Sequence, residues 1–327
     1  MLERVLVTGG SGFIGTNLVE YFVRKGVKVL NVDIAQPRNL AHWEYWRQLD
    51  LLDAEGLAQC LSEFQPDVVL HMGARTDLDG KTVSDYAANT TGVENLIHAM
   101  RGVTSIRRII FASSRLVCRI GYLPVDEFDY YPSTPYGESK MLGEQIVRSS
   151  ASSISCPWVI VRPTSIWGPW FEIPYKTFFM SIAKGRYVHP GDSKILKSFG
   201  FVGNTVYELQ RLLEVDAKSV AGKTYYLADY PPIDVAEMSD EIQRQLGVRP
   251  IRQASISLLR VVAKGGDVLK SLGWHNPPLT SFRLDNLLTP MVHDLEPLKE
   301  VVGDLPYTMS DGVGITVDWL HQSGEIS

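Results

Sequence analysis

Through the first half of the chain, short β-branched and aliphatic runs alternate with longer segments whose apolar positions recur at helical spacing. Arg4 to Thr8, Lys28 to Asp33, Asp67 to Met72, Arg108 to Ser113 and Trp158 to Arg162 read as strands. Phe13 to Lys25, Asp85 to Arg101 and Pro135 to Ser150 read as helices. Regular strand–helix alternation predicts a parallel sheet with right-handed crossovers. The second half is less regular. Pro163 to Pro174 reads as a loop, Thr205 to Val215 and Val235 to Leu246 as helices, Lys223 to Leu227 as a strand, and Thr308 to Leu320 as a closing helix. Ile256 to Leu272 is apolar but interrupted by Arg260, Lys264, Gly265-Gly266 and Asp267, and reads as an amphipathic or buried helix with a break.

This pattern predicts an α/β chain: a doubly wound parallel sheet over residues 1 to 165, returning near 198 to 230, and a smaller mixed α/β unit over 166 to 327. A cleft between the two is the expected ligand site. The 327 residues are 45% hydrophobic and 21% charged, enough for a sizeable core. The net charge of −5 argues against a nucleic-acid partner, which would demand a basic surplus. Three scattered cysteines without a Cys-x-x-Cys fit a reducing cytoplasm, and the seven histidines lack metal-ligand spacing, so no metal is expected. No apolar run reaches the roughly 18 residues of a membrane span, and the start of the chain does not read as a signal peptide; no membrane partner is expected.

The first strand is followed by Thr8-Gly9-Gly10-Ser11-Gly12-Phe13-Ile14-Gly15. Glycines here permit a tight turn and close approach of the backbone to a pyrophosphate, which the free N–H groups and positive end of the following helix attract. The strand-before, helix-after context gives the motif its force. Asp33 ends the second strand near the expected spacing of about 20 residues, where a carboxylate accepts from a ribose and repels a 2′-phosphate. NAD is therefore the expected cofactor, with Arg38 nearby to soften the preference over NADP.

In Tyr136-Gly137-Glu138-Ser139-Lys140, tyrosine and lysine share one helix face. A phenol with a pKa of about 10 is a poor base at neutral pH. A lysine ammonium and a nicotinamide cation nearby favour the tyrosinate. Ser114, at the end of a sheet strand, offers a hydroxyl to a substrate oxygen. Together the three form a proton donor–acceptor beside a hydride carrier.

On these residues the chain resembles the extended short-chain dehydrogenase/reductase family, in particular its NAD-dependent epimerase/dehydratase branch, over about residues 1 to 230 and loosely beyond. The resemblance implies a catalytic set of Ser114, Tyr136 and Lys140, with Asn89 of Asn89-Thr90-Thr91-Gly92 as a structural or relay member. It implies cofactor contacts from Gly9, Gly12, Phe13, Ile14, Gly15 and Asp33, from Asp50-Leu51 at the adenine, and from Met72, Gly73 and Ala74 beside the pyrophosphate. Tyr136, Lys140 and Pro163 complete them at the nicotinamide end. It also implies a homodimer through the helices near Asp85 to Arg101 and Pro135 to Ser150, and Asp311-Gly312-Val313 with Trp319-Leu320 resembles its closing helix.

The departures narrow the chemistry. Sugar dehydratases of the family carry Asp-Glu after the catalytic hydroxyl; Arg115-Leu116 stands here, so dehydration is not expected. Val-Tyr-Gly becomes Val117-Cys118-Arg119, and Val-Asp-Asp becomes Val202-Gly203-Asn204. Arg115 is a candidate contact to an anionic substrate, with Ser165, Trp170 and Phe171 as further substrate candidates on the loop that should border the cleft. The first expectation is an NAD-dependent epimerase or oxidoreductase acting on a sugar hydroxyl or ketone, with a nucleotide sugar as substrate. The second is a 3β-hydroxysteroid dehydrogenase-like enzyme on a non-sugar alcohol, suggested by Leu258 to Leu288 with Pro277-Pro278-Leu279-Thr280. A non-catalytic NAD-binding protein is the third.

Overall fold

The computed structural model describes residues 2–191, 194–274 and 279–326. Of Pro277-Pro278-Leu279-Thr280, the two prolines lie outside the described residues. Six strands of the first half are β1 (Arg4–Thr8), β2 (Lys28–Asp33), β3 (Trp46–Gln48), β4 (Val68–His71), β5 (Arg108–Ala112) and β6 (Trp158–Pro163). With Thr224–Leu227 they make one sheet of seven, ordered β3-β2-β1-β4-β5-β6 and then Thr224–Leu227, and every pair is parallel. Val5 pairs with Val29 on one side and Val68 on the other, so chain order reverses at β1. A crevice outside the carboxyl ends of the strands at such a reversal is where doubly wound sheets bind ligands.

The inner strands β1, β4, β5 and β6 are buried on both faces, as their near-continuous Val, Ile and Leu demand, while the edge strand β3 is exposed. Helices α1 (Phe13–Arg24) and α6 (Val202–Glu214) cover one face, with Leu18, Phe22, Leu209 and Leu212 in its core. Helices α2 (Ala54–Phe64), α3 (Thr91–Ala99) and α4 (Pro135–Ser149) cover the other, with Leu57, Leu61, Leu96 and Val147. A third core, built on Trp167, Phe179, Phe201, Met238, Ile242 and Val317, gathers α5 (Tyr175–Ala183), the helices Val235–Leu246 and Met309–Gln322, and short strand pairs such as Phe199–Phe201 on Ser165–Trp167.

Two expected elements differ. The helix expected over Asp85 to Arg101 is a 3-10 segment, Val83–Asn89, and then α3, separated at Thr90 with φ −124° and ψ −77°. The side chain of Asn89 turns inward there to bind the backbone of Arg75, which a continuous helix would prevent. The expected break at Gly265-Gly266 does not occur: Ile256–Ser271 is one helix. Two glycines cost about 2 kcal/mol of helix propensity, which surrounding turns absorb. Nor is that helix buried; only Ala263 and Gly266 are.

Asn204, where the family pattern has an acid, is fully buried and donates to Asp229 Oδ1 (2.9 Å) and to the Tyr307 carbonyl (2.9 Å). Asp229 and the neighbouring Glu208 are buried carboxyls. Burial pushes Asp229 up to about 7, and burial with the Asp229 charge holds Glu208 well above the ordinary carboxylate range.

Candidate functional site

At the crevice, β1 ends at Thr8 and α1 begins at Phe13 after Gly12. Gly9 has φ +70°, and a Cβ there would lie 2.6 Å from the Gly73 backbone, so only glycine lets the β1 and β4 ends meet this closely. Gly73 N in turn donates to Thr8 Oγ1 at 3.2 Å. No side chain caps the start of α1, and its first N–H groups are left to an outside acceptor. Gly12, Phe13, Ile14 and Gly15 thus form the glycine turn and first helical turn at the crevice.

Asp33 stands at the end of β2, beside that turn. Its Oδ2 accepts from Ser11 N (3.0 Å) and its Oδ1 from Ala35 N (2.9 Å), while burial raises its pKa. Arg38 does not pair with it; the guanidinium donates to Ser11 O (3.0 Å) and Trp170 O (3.2 Å) and forms an ion pair with Glu172 (2.8 Å). Asp50 Oδ1 accepts from Leu52 N (2.9 Å), and Leu51 packs against Gly73 and Gly92 at the same sheet end. Met72 and Ala74 flank Gly73, and Pro163 ends β6. His71 below them is buried beside Lys140, and desolvation drops it to about 3, so it is neutral.

Ser114 lies just past β5, and its Oγ accepts from Leu116 N at 3.1 Å. Helix α4 begins against this turn: a Cβ on Gly137 would sit 2.1 Å from Leu116 O. Thr134 Oγ1 caps the helix by accepting from Gly137 N, and Pro135 occupies its first turn. Tyr136 is thereby set beside the Ser114 hydroxyl. Burial raises the phenol pKa, and the Ser114 hydroxyl works against that rise. Lys140, one turn on, donates from Nζ to the Ala112 carbonyl at 2.6 Å. Burial lowers its ammonium to about 8, and Glu144 holds it up. With its pKa raised above the ordinary phenol value, Tyr136 is neutral at pH 7.

Glu144 continues the Tyr136–Lys140 face by another turn and is buried. Arg162 of β6 grips it with two bonds of 2.8 Å, and Tyr130 donates to its Oε2 at 2.9 Å. Sequence reasoning missed this clamp, although a carboxylate on a buried stripe was its signal. Asn89 does not touch Tyr136 or Lys140 by any hydrogen bond. It accepts from Arg75 N, donates to Arg75 O and Ser139 Oγ, and so joins the segment after β4 to α4, with its donors spent. Of the two roles expected of Asn89, structural or relay, these bonds make the structural one.

The substrate candidates divide. Phe171 is in the third core, packed on Phe13, Phe179 and Trp319, and has no surface to offer a substrate. Trp170 packs on Trp319, and its carbonyl holds Arg38, so this loop seats on the start of α1. The expectation for Phe171 fails because its ring closes a core, whereas Trp170 is half-buried at the edge of it. Ser165 and Arg115 come together at Tyr175, whose phenol lies beside the Ser165 hydroxyl and faces the Arg115 charge. Arg115 Nη1 is buried without a partner. Buried Lys197 donates to Asn286 O (2.7 Å) and is lowered to about 8 by desolvation and Arg115. His293 stacks on Tyr226 at 4.2 Å and is lowered to about 4 by burial and by the Arg115 and Arg162 charges. Tyr175 and Tyr226 face Arg115 as neutral phenols, and among the described residues no carboxylate forms an ion pair with it. Lys197 and His293 carried no sequence signal. Among the described residues no three His, Cys, Asp or Glu side chains gather as metal ligands.

The model of the NAD dependent epimerase/dehydratase family matches residues 5–228. A 2-alkyl-3-oxoalkanoate reductase of Stenotrophomonas maltophilia is 27% identical, across 93% of this chain and 94% of its own. An N-acetyl-α-D-glucosaminyl-diphospho-ditrans,octacis-undecaprenol 4-epimerase of Escherichia coli O157:H7 is 25% identical across 98% and 96%. The solved UDP-glucose 4-epimerase of Thermotoga maritima, 18% identical, superposes with a TM-score of 0.75 over 98% of this chain and 99% of its own, which shows a shared fold. The chain belongs to the NAD-dependent epimerase/dehydratase family, and it is an NAD-dependent enzyme of the extended short-chain dehydrogenase/reductase type.

Proposed function

We propose that the chain oxidises and re-reduces, or simply reduces, a secondary hydroxyl or ketone of a nucleotide sugar. The observation that carries this reading is the meeting of the Ser114 and Tyr136 hydroxyls at the carboxyl end of β5, two strands along the sheet from the glycine turn. NAD, when bound, supplies the hydride acceptor and donor. Gly9, Gly12, Phe13, Ile14, Gly15, Met72, Gly73 and Ala74 hold its diphosphate, Asp33 its adenosine ribose, Asp50 and Leu51 its adenine, and Pro163 its nicotinamide. Ser114 Oγ holds the substrate oxygen, and Tyr136 Oη gives or takes its proton. Lys140 holds ribose hydroxyls with its ammonium and, with a cationic ring nearby, favours the tyrosinate.

Arg115, backed by Lys197, His293 and, through Tyr175, Ser165, receives an anionic group of the substrate. Arg115 is half-buried with its Nη1 enclosed and unpartnered, so an anion that reaches it is favoured, which makes it a selector. Both relatives named above act on compounds with such a group, a diphospho-linked sugar in one and an oxoalkanoate in the other. The oxoalkanoate relative supports a second reading, a net reductase on a non-sugar 3-oxo compound. The enzyme is a cytoplasmic homodimer joined through α3 and α4, where Met141, Leu142 and Ile146 remain part-exposed; light scattering tests the dimer.

The experiment is turnover of UDP-glucose, UDP-glucuronic acid and 3-oxo acids with NAD or NADH, followed by absorbance and NMR. An inverted sugar centre without accumulated NADH establishes an epimerase. Stoichiometric NADH consumption with a 3-oxo acid moves the assignment to the second reading.

A further inference from the structure

A small internal cavity of about 10 Å³, room for one water, lies beside Lys140, with His71, Asn89, Phe111, Ser113 and Glu144 among its other walls. Two polar atoms of those walls, His71 Nε2 and Ser113 Oγ, are buried without a hydrogen-bond partner among the described residues. Buried polar atoms are almost always paired, with protein or with water. The other polar walls have nothing to offer them. Asn89 spends both its donors on Arg75 O and Ser139 Oγ, and Glu144 is gripped by Arg162 and Tyr130. The opposite nitrogen of His71 fixes its tautomer. Thr8 Oγ1 accepts from Gly73 N and lies 2.7 Å from His71 Nδ1. A hydroxyl has one proton to give, and among the described residues His71 Nδ1 is the acceptor that meets it. His71 is neutral, so its single ring proton sits on Nε2 as an unpaired donor. The Lys140 ammonium has three N–H groups, and its acceptor among the described residues is the Ala112 carbonyl.

We propose that the cavity holds one water, which accepts from His71 Nε2 and Lys140 Nζ and donates to Ser113 Oγ, and that His71 is thereby a positioning residue for the lysine ammonium. Three partners are usual for a buried water. The Ala112 carbonyl and the water then take two of the three N–H groups of Lys140, and the third is left for the ribose hydroxyls assigned to it above. The line of bonds starts at Gly73 N, passes through Thr8 and His71, and ends on Lys140, so the glycine turn and the ammonium are tied together. Each acceptor also favours the charged form of a buried amine, so the water acts on Lys140 in the same direction as Glu144. Glu144 on α4 and His71 on β4 are the titratable groups coupled to the Lys140 charge, and His71, being neutral, does not oppose it. The inference rests on the reading of Lys140 as the lysine of the NAD site.

The test is made on the NAD-bound full-length protein. High-resolution crystals of the wild type show a water within about 3.2 Å of all three atoms. Nitrogen-15 NMR finds the His71 proton on Nε2, with a cross-peak to a long-lived water. Lys140 is then titrated by carbon-13 NMR of lysine-labelled enzyme. Ser113→Val fills the cavity and expels the water. His71→Asn keeps an acceptor for Thr8 and removes the donor to the water. In both variants Lys140 titrates at least about half a unit lower, and the alkaline limb of turnover moves with it. His71→Gln, whose amide carries an N–H to the Nε2 position, returns the titration to within about 0.2 unit of the wild type. Equal circular-dichroism melts of His71→Asn and His71→Gln separate the lost bond from a damaged fold. A wild type without this water, a proton on Nδ1, or a wild-type Lys140 titration in both Ser113→Val and His71→Asn overturns the proposal. The NMR and crystal readings need no turnover, so a substrate panel that fails while they hold counts against the substrate assignment alone.

Discussion

Glu144→Gln separates the two duties that the fold gives to one carboxylate. In the wild type, Glu144 and Arg162 are 2% and 1% exposed and meet through two bonds of 2.8 Å. Removing the negative charge leaves a buried guanidinium facing Tyr226, Tyr130 and the Glu127 carbonyl with no counter-charge. Breaking a buried pair in this way costs about 3–5 kcal/mol. At roughly 2 °C per kcal/mol for a chain of this size, the melting temperature falls by about 6–10 °C. The second duty is electrostatic. Glu144 sustains the Lys140 ammonium against burial, so in the variant Lys140 titrates below its present value of about 8. Because Lys140 acts as an ammonium, the alkaline limb of kcat/KM moves to lower pH. Differential scanning fluorimetry and a pH–rate profile on the same preparation read both effects. Replacing both partners by apolar residues, as E144L/R162M, recovers most of the lost melting temperature while the alkaline limb stays shifted. A fall of less than about 2 °C for Glu144→Gln would falsify the buried-pair argument, and an unmoved alkaline limb would show that Lys140 does not depend on Glu144.

Tyr136→Phe removes the proton carrier and keeps the ring against Tyr86, so turnover drops about 10²–10⁴-fold while NAD binding by calorimetry stays within about twofold; near-normal turnover assigns the proton to another group. Asp33→Ala weakens NAD binding and shifts the NADP-to-NAD affinity ratio by about tenfold, roughly 1.4 kcal/mol, with an unchanged ratio removing Asp33 from the ribose contact. Glu208→Gln tests the buried carboxyls. Asp229 is raised from 3.8 to about 7 and Glu208 moves the same way, so both keep their protons in the fold while the unfolded chain has lost them. Stability therefore falls as pH rises between about 4 and 7, and removing one of the two acids lifts the melting temperature at pH 7.5 more than at pH 4. An equal shift at both values shows that Glu208 does not titrate in that window.

What the sequence made legible follows from how far apart the interacting residues lie in the chain. The glycine turn, Asp33, and the Tyr136–Lys140 pair are each defined within one strand–turn–helix unit, where local spacing fixes geometry. Glu144 was one helical turn from being read, but its meaning depends on Arg162, which reaches it only because β6 is laid beside β5 and under α4. Lys197 and His293 belong to no periodic element that points at Ser114. Lys197 sits in a two-residue strand and His293 in a loop, joined through a bridge between Lys197 and Met291 that no spacing encodes. Phe171 misled for the opposite reason: a Pro-, Trp- and Gly-rich stretch has the composition of a surface loop, and only the packing of Phe13, Phe179 and Trp319 around it makes the ring interior. Ile256–Ser271 read as an amphipathic or buried helix with a break; it is an unbroken amphipathic one that buries Ala263 and Gly266, so the same hydrophobic period that built α1 into the core here faces largely outward. Period specifies that a helix has an apolar side; what covers that side depends on the rest of the chain, and for this helix the described residues leave most of it open.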